Sequence, residues 1–338
     1  MKIGIIGAGA MGCLFGGKLS ETGNEVWLLD IDLAHISRIN ESGLDIKTQE
    51  KITNYKKLHA TTNPNEVGIV DIAIIFVKST HTYSALKQNI AIFSKDTMIL
   101  TLQNGLGNIQ EIEKLIVRGN IIAGTTAHGA TMLGNGFIRH AGNGKSIIGF
   151  LEAQKTEDSS NENRIDFVEE EKTINSNWEL INNNLAKIAE VKKILIDAGF
   201  DTTISENIQG TIWDKLIVNV GINALTAILE IENGKIPDSP YLTEILRNAI
   251  NEAAKIANKI GVTLEFDDPV EHALEVCRAT SKNRSSMLQD IDNKRSTEIK
   301  MINGAIVKEG IIYNVSTPVN ELLTKLIMYK ESNYGRQG

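Results

Sequence analysis

An α/β fold is expected for this 338-residue chain, with a doubly wound parallel sheet first and a domain of helices after it. Three observations carry the expectation. Short β-branched runs alternate with helical patterns in the first half, and a glycine-rich turn joins the first strand to the first helix. Beyond residue 205 the apolar residues recur at helical spacing.

The run IGII over 3–6 is apolar and β-branched, as in a strand covered on both faces. Gly7, Gly9 and Gly12 follow as G-x-G-x-x-G, with small Ala8 and Ala10 between them. The first glycine allows a tight turn, the second lets backbone approach a pyrophosphate, and the third lets helix and strand pack closely. The helix over 11–22 turns its N-terminus, at Ala10 and Met11, toward that anion. Gly23 and Asn24 stop it, 25–29 form the second strand, and Asp30 closes the unit 18 residues after Gly12. A strand, a glycine loop, a helix and an acid in this order read as a dinucleotide-binding Rossmann unit, the alternative being a purely structural turn.

An acid at the position of Asp30 binds the ribose 2′-hydroxyl of NAD and repels the 2′-phosphate of NADP. Ile31, Asp32 and Leu33 follow it, and no base comes before His35 and Arg38. NAD(H) is therefore expected over NADP(H), with NADPH still possible. The alternative is that Asp30 only ends a strand.

The apolar fraction of 42% and charged fraction of 23% describe a globular protein long enough for two cores. A net charge of −7 gives nucleic acid or an anionic membrane nothing to bind. No apolar run approaches the ~20 residues needed to cross a bilayer, and no charged-then-apolar leader precedes Ile3, so a cytoplasmic location is expected. Cys13 and Cys277 show no metal or redox spacing, and no metal is expected.

Further strands are predicted over 70–77, 98–102 and 121–125, the last followed by a Gly-rich segment holding His128 and His140. Lys78 and Asn104 fall just past strand ends, where ligands of such sheets bind. Residues 152–178 turn to Glu, Asn, Ser, Asp and Lys and read as a surface insertion or loop. The boundary is placed there: a dinucleotide-binding domain over 1–178 and a mainly helical substrate domain over 179–338. Helices are expected over 185–198, 208–229 and 240–260 and after Pro318, with a strand at 200–205.

In WDKLIVNVGINAL, Lys215, Asn219 and Asn223 recur every four residues and share one helix face. A cation with two amides suits a small oxyacid; a solvated face beside a capping Asp214 is the alternative. Ser285 and Ser286 could cap a helical turn, with Gln289 completing a capping box, and Glu298 would sit in the first turn of the next helix. Ser286 and Glu298 thus have local explanations too.

The glycine start, VKS at 77–79, QNG at 103–105, WDKLIVNVGINALTAI and SSMLQDIDNKRSTEIKMINGAIV together resemble the ketopantoate reductase (2-dehydropantoate 2-reductase) family over nearly the whole chain. The resemblance implies a Rossmann domain, an all-helical domain and an active site in the cleft between them. It implies reduction of 2-dehydropantoate to pantoate, a step toward pantothenate and coenzyme A. Lys215 then matches the catalytic acid and Glu298 the acid that assists it. Asn219, Asn223 and Ser286 match substrate-binding positions, and Lys78 and Asn104 match cofactor-side positions. With Lys215 as the acid, His128, His140 and His272 read as structural or cofactor-proximal. Asp30 departs from the family's usual NADPH-linked pattern, and the polar stretch is longer than the family leads one to expect at this junction. A D-2-hydroxyacid dehydrogenase of the D-mandelate type is the second enzyme reading, and a non-catalytic nucleotide-binding protein is the reading of another class. A homodimer through an apolar helical face is possible.

Overall fold

In the computed structural model the described residues are 1–151 and 174–334, with side chains of 174–184 left aside. They form two compact units: Met1–Gln103 with Asn108–Ile208, and Asn104–Gly107 with Gln209–Gly338.

The first unit is built on eight strands: Lys2–Ile6, Glu25–Leu29, His59–Thr61, Ile72–Ile75, Met98–Thr101, Ile121–Thr126, Ser146–Phe150 and Thr202–Ile204. Numbered along the chain, they lie side by side as 3-2-1-4-5-6-7-8. The first six run parallel, the seventh is antiparallel to the sixth, and the eighth is parallel to the seventh. This is the expected doubly wound sheet. The order reverses between strands 1 and 4, which opens a crevice at their carboxyl ends.

A second sheet was not legible in the sequence. It orders Ile52–Tyr55, Leu44–Lys47, Phe137–Gly142 and Gly129–Gly134. The helix Ala10–Ser20 packs against both sheets and is buried nearly all round. Gly16 and Gly17 permit this: a Cβ would stand 2.5 Å from Leu28 on one side and 2.9 Å from Ile46 on the other. An apolar, small-residue helix without a polar face is what such a position selects.

The units divide at 208/209, thirty residues beyond the compositional boundary at 178/179. The helix Ile174–Asp197 sends Ile188, Val191 and Leu195 into the sheet's core beside Phe200, and Thr202–Ile204 extends the sheet itself. The polar stretch therefore interrupts one unit and does not separate two. Its residues 152–173 lie outside the described residues.

The second unit contains the helices Ile208–Leu229, Pro240–Lys259, Pro269–Ala279, Ser286–Asp292, Asn303–Ile312 and Pro318–Ser332. Contrary to the sequence expectation, Ile208–Leu229 is long and apolar enough to cross a membrane by length and composition, but 67% of its apolar window is buried within the protein. It is a core helix that carries the polar row of interest. Its neighbours are tied by a buried polar cluster. Asn303 Nδ2 donates to the Val220 carbonyl at 3.1 Å and to Asn320 Oδ1 at 2.9 Å. Asn320 Nδ2 donates to Glu252 Oε2 at 2.6 Å and to the Ala249 carbonyl at 3.0 Å. The Glu252 carboxylate also accepts the N–H groups of Val319 and Asn320, at 2.9 and 3.0 Å. It thereby caps Pro318–Ser332 from another helix, in place of a local cap.

Candidate active site

At the carboxyl ends of strands 1 and 4 lies a cavity of about 360 Å³, within the usual size of a small-ligand site. Gly7, Gly9, Asp30 and Lys78, four of the residues expected on the cofactor side, line it. Gly7 turns with φ +96°, and Gly12 packs so tightly that a Cβ would stand 2.0 Å from the Gly7 carbonyl oxygen. A Cβ on Gly9 would meet nothing within 4 Å, so open space faces the backbone where a side chain would otherwise project. That is a cradle fit for a pyrophosphate at a helix N-terminus. Ala10 and Met11 begin the helix and, like Gly12, do not line the cavity.

Asp30 does more than end a strand. Its Oδ2 accepts the Ala8 N–H at 2.7 Å and its Oδ1 accepts the Asp32 N–H at 3.1 Å. A carboxylate has about four acceptor positions, so both oxygens can still take a ribose hydroxyl. Thr62, His81, Ser84, Gln88 and Asn89 complete the cavity and went unseen in the sequence. The one signal available was their place after the third and fourth strands, which only the topology makes meaningful.

In the helical unit, Lys215 and Asn219 are half-buried and Asn223 is only 5% exposed, which removes the solvated-face reading. Asn223 Nδ2 donates to Ser286 Oγ at 3.5 Å, joining two of the predicted positions. The cap of Ser286–Asp292 is Ser285, whose Oγ accepts the Leu288 N–H at 3.1 Å. The box predicted between Ser286 and Gln289 does not form, because Gln289 donates to the Arg284 carbonyl instead. Capping thus falls to Ser285, and the Ser286 hydroxyl is paired with Asn223.

Glu298 precedes the 3-10 turn Ile299–Met301, one turn ahead of the helix where it was expected. Its Oε2 accepts Asn104 Nδ2 at 3.2 Å. Asn104 belongs to the tetrapeptide 104–107, which packs with the helical unit and bonds again through the Leu106 N–H to the Met301 carbonyl at 3.0 Å. It does not line the glycine-loop cavity; its expected place is on the cofactor side near the nicotinamide. Burial draws the Lys215 ammonium down from its usual range to about 8, and the Glu298 carboxylate pulls the other way. Burial wins, a question composition left open. Asp214, read as a cap, is instead buried and accepts the Glu265 N–H at 2.9 Å.

His128, His140 and His272 make ring contacts. His128 stands edge-on to Phe15 and Phe200, with Nδ1 3.3 Å from His140 Nε2. Burial first, and His140 second, lower its pKa to about 4. His272 stacks on Phe266 at 3.5 Å.

Residues 3–153 match the family described as Ketopantoate reductase PanE/ApbA, and 207–331 match Ketopantoate reductase PanE/ApbA C terminal. The 2-dehydropantoate 2-reductase of Pyrococcus horikoshii is 36% identical over 98% of both chains. That of Halobacterium salinarum is 30% identical over 97% of this chain and 98% of its own. A solved ternary structure of D-mandelate dehydrogenase with NADH and anilino(oxo)acetate is 30% identical, with a TM-score of 0.84 over 99% of this chain and 100% of the other. With family matches across both units and full-length relatives at this identity, the chain belongs to the ketopantoate reductase family.

Proposed function

We propose that the chain reduces the C2 ketone of 2-dehydropantoate to pantoate, using a nicotinamide cofactor held on the first unit. The observation that carries the reading is full-length likeness to relatives that bear that enzyme's name, in a chain whose helical unit holds half-buried Lys215 under the influence of Glu298. The cofactor supplies the hydride. Gly7 and Gly9 would receive its pyrophosphate, Asp30 the adenosine ribose, and Lys78 the region near the nicotinamide. Lys215 stabilises the negative charge that develops on the ketone oxygen and donates a proton to it from Nζ. Glu298 favours the charged form of that ammonium, and the substrate hydroxyl would be its other partner. Ser286 with Asn223 holds the substrate carboxylate, and Asn219 adds an amide on the same helix face.

Absorbance loss of NADH and of NADPH, run in parallel with 2-dehydropantoate and with phenylglyoxylate, tests the proposal. Turnover of 2-dehydropantoate is expected, and turnover of phenylglyoxylate alone would transfer the chain to a D-2-hydroxyacid dehydrogenase. The likeness to an NADH-bound D-mandelate dehydrogenase makes that the second reading.

NADH is the expected cofactor, since Asp30 is followed by Ile31 and no base precedes His35. Asp30→Ala should narrow the ratio of kcat/KM for NADH over NADPH by about tenfold, as the repulsion of a 2′-phosphate is removed. An unaltered ratio would refute Asp30 as the discriminating residue.

A further inference from the structure

Below the cavity, five residues close a ring of hydrogen bonds. The Ala8 N–H donates to Asp30 Oδ2 at 2.7 Å, and the Asp32 N–H donates to Asp30 Oδ1 at 3.1 Å. Asp32 Oδ1 in turn accepts the His35 N–H at 3.1 Å. The His35 ring reaches Cys13 Sγ through Nε2 at 3.3 Å, and the Cys13 thiol donates to the Ala8 carbonyl at 3.1 Å. The ring tautomer follows from the far side, where the Gly136 N–H donates to His35 Nδ1 at 3.1 Å. A nitrogen that accepts carries no proton, so the proton sits on Nε2 and points at sulfur. Cys13 is fully buried and His35 is 3% exposed, so water does not compete for these bonds.

We propose that Cys13 and His35 are positioning residues for cofactor binding: together they fix the Ala8 carbonyl and, through the Ala8 N–H, the Asp30 carboxylate. The peptide from Ala8 to Gly9 is planar and trans, so holding the Ala8 C=O toward Cys13 aims the Gly9 N–H the opposite way. Gly9 and Asp30 are the cavity's phosphate-facing backbone and ribose-facing acid, and the ring sets both at once. The inference rests on the dinucleotide reading of that cavity.

Titration of the full chain with NADH, followed by its fluorescence, tests the pair. Cys13→Ala and His35→Leu should raise the Kd of NADH about five- to tenfold, the worth of one or two lost hydrogen bonds. Cys13→Ser keeps a donor and an acceptor, and His35→Gln keeps a donor at the Nε2 position, so both should stay within about twofold of the parent. In turnover the loss should lie in KM for NADH and not in kcat. Serine and glutamine variants as weak as alanine and leucine, or all four equal to the parent, would overturn the proposal. Should Cys13→Ala fail to fold, His35→Gln against His35→Asn decides: the first keeps the bond toward Cys13 and the second only the one toward Gly136. Equal affinities there would also overturn it. A parent chain that binds neither NADH nor NADPH would remove the dinucleotide reading itself and this inference with it, a result distinct from binding that is indifferent to the pair.

Discussion

Lys215→Ala should lower kcat by ~10²–10⁴-fold, the usual worth of a positioned general acid, while the Kd of NADH stays that of the parent. Lys215→Met, which keeps the alkyl stem, separates loss of the charge from loss of packing. The reduction needs the protonated amine, and burial sets its pKa near 8. The group is charged below that value, so kcat/KM should be flat at lower pH and fall about tenfold per unit above about pH 8. Glu298 opposes the effect of burial, so Glu298→Gln should weaken the proton's hold and move this limb to lower pH. The glutamine carbonyl can still accept from Asn104, which keeps the local geometry. A limb that stays put, or that moves upward, would exclude the proposed coupling.

Glu252→Ala should be the most damaging change to stability outside the site. Glu252 is 7% exposed and accepts three N–H donors, two from the first turn of Pro318–Ser332 and one from the fully buried Asn320 amide. Its removal uncaps that helix and leaves buried donors unpaired, a loss of about 3–5 kcal/mol. Urea unfolding followed by far-ultraviolet circular dichroism measures it, with Glu252→Gln expected to lose less because one oxygen remains to accept. The loss should also raise KM for the keto acid, since the same cluster reaches the Val220 carbonyl beside Asn219. A destabilisation below about 1 kcal/mol would show that the cluster does not hold these helices together.

The elements that sequence resolved are those whose signal is local. The glycine loop, the four-residue polar row and the helix Ile208–Leu229 each follow from spacing within one segment. The second sheet did not, because its strands mix polar residues and glycine with few apolar ones over 52–55 and 129–142, and the pairing that joins its two hairpins, Phe137 opposite Asp45, spans some ninety residues. Ser286 and Asn223 were singled out separately, but nothing local states that they touch. The misplaced boundary has the same origin: composition marks where a chain is polar, whereas a unit is defined by what packs on what. Ile188, Val191 and Leu195 show the helical stripe plainly, yet the sheet they cover precedes the polar stretch. Likewise the ring through Cys13 and His35 joins residues whose individual patterns are unremarkable: an apolar helix position and the first turn of the next helix.

The tetrapeptide 104–107 makes the helical unit discontinuous in sequence, since the chain passes from one unit to the other at 103/104, 107/108 and 208/209. A gene segment starting at codon 209 would encode every long helix of that unit and yet omit one of its parts. Glu298 would be without the Asn104 amide, and the Met301 carbonyl without the Leu106 N–H. Recombination or domain grafting at the obvious junction would therefore transplant Glu298 without the amide that donates to it, and a functional exchange has to carry the short strand-end loop along with the helices.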